Sequence, residues 1–470
     1  MIIYVAENPE VVIREQITEL LANNYLEDAF AIQFTFQQYY LAKPIDIVLA
    51  ALVHLTKKSS GIEISAAIFP FNENLTHNIK SLNTDLFTLQ DFAQKNEVPW
   101  LNLSAPLTLD PVKIPKPWGQ EIWYTGIEAR GQANIIVGSY KTPLPWVLAL
   151  MPEYLSAGLE KKITLLKTLD PLPDEVYGDL YFELHEHKQE VYIVTHIDER
   201  AWPNNIGAIR LGFDQTIRAQ YKNDEKFKAA YLQSTETYEG IRGTIDVLLD
   251  KERIKNNIAL DVTVDCAILK EWQKQLPQEL VKQEQHARDD MNRFSALYPL
   301  AVGDVIKVPC YMPHALQHGV RTLEFQTPVY ERKILSFAQR VLTQSHWDTK
   351  VALKDVFCGT PEPTELSILF GTENETIKVE EIVSFDDFRV IRISLAAYTT
   401  YSLPAQNSYG LIMPIATSCN ILTSAFELNL TAETATFIPH ALMSNKNESL
   451  WLSAGDVSVQ VLIATANCVQ

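Results

Sequence analysis

Positive charge is scarce in this chain: Lys and Arg number 40 against 58 Asp and Glu, a net charge of −18 over 470 residues. The average surface therefore repels phosphate backbones and anionic bilayers, so neither nucleic acid nor membrane is an expected partner. A small anionic substrate stays open, provided a local cluster of cations receives it. Cysteine is sparse as well. Cys266, Cys310, Cys358, Cys419 and Cys468 are odd in number, far apart and never in CxxC spacing, which implies no disulfide framework and suits reduced thiols in a cytoplasm. Only 17 glycines occur, with 47% hydrophobic and 21% charged residues, so long low-complexity or disordered tracts are excluded. Long hydrophobic runs are missing: IDIVLAALVHL is too short to span a bilayer, and the opening MIIYVAENPEVVIREQ has no basic region ahead of an apolar segment.

What is present is enough for several folded units. Residues 1–110 alternate helix-like pieces such as VVIREQITELLANN with apolar runs such as IEISAAIF, and are expected to form an N-terminal α/β extension of unknown role. The proline-dense LTLDPVKIPKPWGQEIW reads as a linker into a new domain. From about 120 to 213 the segments IWYTGI, ANIIVGSY, LYFELH, EVYIVTHI and AIRLGF read as strands, with LPWVLALMPEYLSAGLEKKITLLK more helical. Residues 214–296 turn to Lys, Glu, Gln and Ala with apolar residues at helical spacing, which predicts an inserted helical subdomain with solvated charged faces. Strands resume in GDVIKVPCYMPHAL and VRTLEFQTPVYE. RKILSFAQRVLTQ looks helical, and β patterning runs from about 365 onward. The expected fold class is mainly β with helical insertions (α+β): one β domain made of 111–213 and 297–335 around the helical insert, then a C-terminal β domain over 336–470.

The chemistry concentrates in FELHEHKQEVYIV, residues 182–194. Strand alternation puts Glu183 and His185 on one face and Phe182 and Leu184 on the other. After the polar turn EHKQ, Glu190 opens the next strand, so a carboxylate, an imidazole and a second carboxylate can converge on one divalent ion. A charged hairpin tip is the competing reading. A second element supports the metal: GDVIKVPCYMPHAL, more than a hundred residues later, ends an alternating strand with His314.

Together these segments resemble the type I mannose-6-phosphate isomerases, metal-dependent members of the cupin superfamily. PKPWGQEIW is similar to that family's opening motif. LYFELHEHKQEVY stands at its Gln-x-His-Pro and Lys-x-Glu segments, GDVIKVPCYMPHALQHG looks like its Gly-Asp, Val-Pro, His-Ala strand, and LEFQTPVYER looks like the segment ending in its catalytic arginine. AETATFIPHAL echoes the third segment more loosely. The resemblance covers roughly 111–335 and leaves the first 110 residues without a counterpart. It implies cupin-type β-barrels (jelly rolls), a zinc ion or another divalent metal held by Glu183, His185, Glu190 and His314, a catalytic lysine at Lys188, a substrate-facing arginine at Arg332, and a small sugar phosphate as substrate. A generic cupin pattern, His185-x-His187 then Glu190, competes for the same residues, with His187 falling in the turn. Isomerisation between an aldose and a ketose phosphate would follow, through a cis-enediol.

The sequence also departs from the family. Glu183 occupies the position of a Gln and adds a negative charge, which favours tighter binding of a weaker Lewis acid. Glu186 replaces the Pro after the histidine, and CYMP replaces the Gly-rich approach to His314. A non-catalytic cupin-fold protein that binds sugar or metal is therefore the alternative.

Overall fold

The computed structural model describes residues 1–59, 61–362, 364–372 and 375–467; Cys468 lies outside the described residues. The chain divides into two compact units. One comprises Met1–Val112, Trp123–Leu166 and Leu366–Gln470, the other Lys113–Ile122 and Lys167–Glu365. Segment 123–166, expected with the metal-binding domain, thus lies in the first unit, and 336–365, expected with the C-terminal domain, lies in the second. Among the described residues no helix is long and apolar enough to cross a membrane.

The first unit begins with a five-stranded sheet over Ile3–Val5, Glu27–Gln37, Asp46–Lys58, Gly61–Pro70 and Leu101–Asn102, paired in that order. Helix Pro9–Ala22, with Asn8 as its N-cap and Pro9 in its first turn, is the crossover that makes the first two strands parallel. Helices Glu73–Lys80 and Leu86–Lys95 bury Leu75, Ile79, Leu89 and Phe92 against one sheet face. Glu10, almost fully buried, accepts the backbone N–H groups of Glu153 and Tyr154, which fastens this layer to helix Pro152–Ser156. The unit also contains a nine-stranded and a four-stranded sheet that share an apolar core including Ile393, Ile412, Ile421, Leu452 and Ile463.

The second unit carries the sequence segments of interest. A six-stranded sheet contains Leu165–Pro171, Glu190–Ile197, Val305–Val308 and Val320–Gln326. A five-stranded sheet contains Phe182–Leu184, Gly207–Phe213, Ser295–Leu300, His314–Leu316 and Lys333–Ser336. They remain separate hydrogen-bonded sheets rather than one closed barrel. Inward residues of both, among them Tyr192, Val194, Ile209, Leu211, Leu316 and Ile334, form one core. The outward residues Phe182, Leu184, Phe213 and Ala315 pack instead with Phe227, Tyr231, Tyr238 and Phe294. The expected helical insert is there. Helix Asp224–Lys255 starts at the Asn223 cap with acidic residues in its first turn and ends with Arg253 and Lys255 in its last, each suited to the helix dipole, and Cys266–Gln273 and Gln278–Asn292 follow.

Three local expectations are corrected. The proline-dense segment is strand, not linker: Leu107–Asp110, Val112–Lys116 and Gly119–Trp123. RKILSFAQRVLTQ is not a helix. Its first residues form strand Lys333–Ser336 beside Phe182–Leu184, so pairing at the sheet edge overrides helical spacing. The end of the helix-like stretch, LLK, opens strand Leu165–Pro171.

Phe227 is fully buried, with its ring 5.1 Å from that of Phe213 and 5.7 Å from that of Phe294. Phe227→Ala removes one of the aromatic contacts that hold the insert to the sheet and destabilises the protein by about 3–5 kcal/mol, read as a lowered urea midpoint.

Candidate metal centre

His314 faces Glu183 directly across the antiparallel pair of Phe182–Leu184 with His314–Leu316. Alternation decides where they point: Ala315 packs outward against the helices, while Leu316, two residues after His314, lies in the inner core on His314's own side. His185 follows the end of its strand, on the same side as Glu183. From the opposing sheet Glu190 shares the inner face with Tyr192 and Val194. Four polar side chains from both sheets thus meet inside the sandwich.

The ligand atoms of Glu183, His185 and His314 all lie within 4.8 Å of one another. The two imidazole centroids are 5.2 Å apart. Glu190 stands beside this set, one oxygen 3.3 Å from His185 Nε2 and the other 3.2 Å from His314 Nε2. Glu183 Oε1 is 3.9 Å from His185 Nε2. Both imidazoles are almost fully buried. Each ring has its Nδ1 3.0 Å from a backbone carbonyl, that of Glu331 for His185 and that of Met312 for His314. A carbonyl only accepts, so Nδ1 carries the proton and Nε2 presents a lone pair. Among the described residues neither Nε2, nor Glu183 Oε2, has a hydrogen-bond partner.

Lone pairs of two imidazoles and of Glu183 therefore face one another in the buried interior, with the Glu190 carboxylate beside them. That arrangement is unfavourable unless a cation stands between them. The donor set, nitrogen and carboxylate oxygen, suits a divalent ion of the zinc type, and the residues fit such a group. Burial, followed by the nearby Lys188 ammonium, lowers the proton affinity of His185, which keeps it in the form a metal needs. Burial by itself would raise the Glu190 pKa, but Lys188 and then His185 hold it well below the usual carboxylate range.

The other residues singled out in the sequence divide. Lys188 is buried, not solvated, with Nζ 2.6 Å from Glu190 Oε1. Arg332 lies over the Tyr181 ring at 4.5 Å, donates to Thr343 Oγ1 at 2.7 Å and comes within 3.9 Å of Glu183 Oε2. His187 is exposed in the turn, away from the ligand set. His440 begins a short helix, His440–Met443, in the other unit.

Several participants went unnoticed in the sequence. Lys167 and Glu324, both buried, pair at 3.2 Å, and Tyr192 donates to Glu190 Oε2 at 2.6 Å. Burial and then the charge of Glu190 push the Glu324 carboxyl well above its ordinary pKa. The available signal was a charged residue inside an apolar strand: Glu324 between Leu323 and Phe325 in VRTLEFQ, and Lys167 after two leucines in LLKTLDP. Glu331 clamps the 183–190 turn, its carboxylate accepting the backbone N–H groups of Glu186 and His187 while Glu186 pairs with Lys333.

No protein-family model matches the chain, and no curated protein matches it in sequence. Among solved structures, the mannose 6-phosphate isomerase of Bacillus subtilis superposes with a TM-score of 0.51 at 14% identity, over 77% of this chain and 99% of that one. A mutant of the phosphomannose isomerase of Salmonella typhimurium gives 0.48 at 12% identity, over 77% of this chain and 100% of the other. A mannose 6-phosphate isomerase bound with zinc and yttrium gives 0.48 at 12%, over 77% and 99%. The chain has the fold of the Bacillus enzyme, as the sequence resemblance implied.

Glu331→Ala leaves all ligands in place but frees their turn. Affinity for zinc falls about 10- to 100-fold in a competitive chelator titration, whereas His185→Ala and His314→Ala lose stoichiometric metal. The metal-free protein also has a signed pH dependence. Because folding depresses the His185 pKa, that group stabilises the fold at high pH, and the contribution is lost as pH falls below its unfolded value of 6.5. His185→Gln flattens the slope of thermal stability across that window, measured by calorimetry on chelator-treated protein.

Proposed function

We propose that the second unit is a zinc-dependent sugar-phosphate isomerase acting between mannose 6-phosphate and fructose 6-phosphate. The observation that carries this reading is the convergence of Glu183, His185, Glu190 and His314 inside a sandwich of the isomerase fold. The same four residues would hold the ion. When bound, zinc supplies Lewis-acid polarisation of a carbonyl and a fixed position for two adjacent oxygens.

The chain's own groups do the remainder. The reaction removes a proton from the carbon next to the carbonyl, forms a cis-enediol, and returns a proton to the neighbouring carbon. Lys188 is the buried amine at the ligand set, 2.6 Å from Glu190, and is the group proposed to carry that proton. Arg332, held against Tyr181 and Thr343, is fixed in direction and offsets negative charge building on the enediol oxygens. With Lys167 paired to Glu324 and Lys188 to Glu190, Arg332 is, of the three, the cation left to receive an anionic substrate against the protein's net charge of −18. A reducing cytoplasm suits the four described cysteines, all free thiols.

A second reading rests on Glu183 and on the engaged state of Arg332: a non-catalytic cupin-fold protein that binds a sugar phosphate or a metal. One assay separates the two. In a coupled assay on zinc-loaded protein, mannose 6-phosphate is turned over and Lys188→Met lowers kcat by about 100-fold or more. Absence of turnover with every hexose 6-phosphate, in protein shown to hold its ion, rejects the isomerase. Calorimetric binding without turnover then supports the second reading.

A further inference from the structure

A cavity of about 390 Å³ lies wholly within the first unit, whereas the ligand set belongs to the second. Its wall joins the N-terminal layer to the C-terminal β domain: the hairpin end at Lys58 and Gly61, the edge strand at Asn102, helix Pro152–Ser156 at Tyr154, the 423–426 turn, and the short helix His440–Met443 with the residues after it. The volume is that of a small-molecule site.

The wall is polar and already braced. Ser104 accepts the backbone N–H of Ile64 and its hydroxyl lies 3.0 Å from that of Tyr154. Asn102 donates to Glu63 Oε2 at 3.4 Å, and Glu63 Oε1 is 3.8 Å from Lys58 Nζ. Glu448 accepts from both the backbone and the hydroxyl of Ser424, which fixes the turn that carries Phe426. These hydroxyls, carboxylates and the Asn102 carboxamide line the opening, and Phe426, packed on the C-terminal core, adds apolar wall together with Ile62, Tyr154 and Leu442.

This chemistry narrows the ligand. Two carboxylates, Glu63 and Glu448, stand against one ammonium, Lys58, so a phosphate ester meets net repulsion on top of the protein's own field. A metal ion is not indicated, because the cluster of ligand atoms among the described residues is that of Glu183, His185 and His314. Carboxylates, carboxamides and hydroxyls beside the rings of Phe426 and Tyr154 are suited to a molecule bearing several neutral hydroxyl groups. We infer that this cavity is a second binding site, for an uncharged monosaccharide or related polyol, built where the N-terminal layer meets the C-terminal β domain.

The inference stands apart from the isomerase reading and is tested separately, on the full chain. Saturation-transfer NMR and calorimetry with D-glucose, D-mannose and D-fructose, and with glucose 6-phosphate as the charged control, give saturable binding of at least one uncharged hexose. That binding survives chelation of the metal. It weakens about 10-fold or more in Asn102→Ala and in Ala441→Trp, which fills the cavity, while any isomerase activity is retained. Three results overturn the proposal: no uncharged hexose binds, glucose 6-phosphate binds as tightly as glucose, or binding disappears with the metal and is indifferent to both substitutions.

Discussion

Facing lone pairs set the terms for the second unit. Glu183 and His314 are neighbours across one sheet, Glu190 reaches in from the other, and His185 completes the ring at the end of its strand. Backbone carbonyls hold both imidazole protons on the outer nitrogen, so the two Nε2 atoms and Glu183 Oε2 remain inside as acceptors without a donor among the described residues, beside a Glu190 that Lys188 and Tyr192 already satisfy. In water this would be trivial. Buried, it costs free energy that a bound cation would recover, and for such a site the two sheets must be held firmly enough that the side chains cannot turn away.

That firmness comes from outside the centre. The sandwich interior is dry where Val194, Ile209, Leu316 and Ile334 meet, and charged where Lys167, Glu190, Glu324 and Lys188 meet. Buried ion pairs of the second kind contribute little net stability, because desolvation consumes most of their attraction. Apolar burial carries the load instead, and the aromatic cluster between the five-stranded sheet and the inserted helices adds a second layer behind Phe182 and Leu184. The insert therefore supports the strand that presents Glu183 and His185: each inward ligand alternates with an outward residue anchored in the helices.

Much of this was legible in the sequence, for a physical reason. Period-two alternation in YFELH fixes which face Glu183 takes whatever the partner strand does, and EVYIVTHI matches strand Glu190–Ile197. The long helix announced itself through its spacing, acidic start and basic end. RKILSFAQRVLTQ misled because its apolar spacing satisfies a helix, while the deciding factor, an open edge beside Phe182–Leu184, is non-local. The proline-dense segment misled similarly, since prolines tolerated at strand ends and edges look the same in sequence as those of a linker. Lys167 and Glu324 were invisible as a pair because they meet only when two strands far apart in the chain enter one sheet.

On the proposed reading, a carboxylate at position 183, where the family that the sequence resembles carries Gln, gains meaning from its surroundings. With Glu183 and Glu190 both ionised, a divalent ion is charge-balanced by its own ligands, and less of its field is left to attract an anionic substrate. Lys188 is already engaged with Glu190, and Lys167 with Glu324. Arg332 approaches Glu183 at 3.9 Å, lies over the Tyr181 ring and donates to Thr343. On the proposed reading, then, the second carboxylate transfers substrate attraction from the ion to the arginine. Arg332 sits where it can carry that task, because the stacked Tyr181 ring orients the guanidinium without neutralising it.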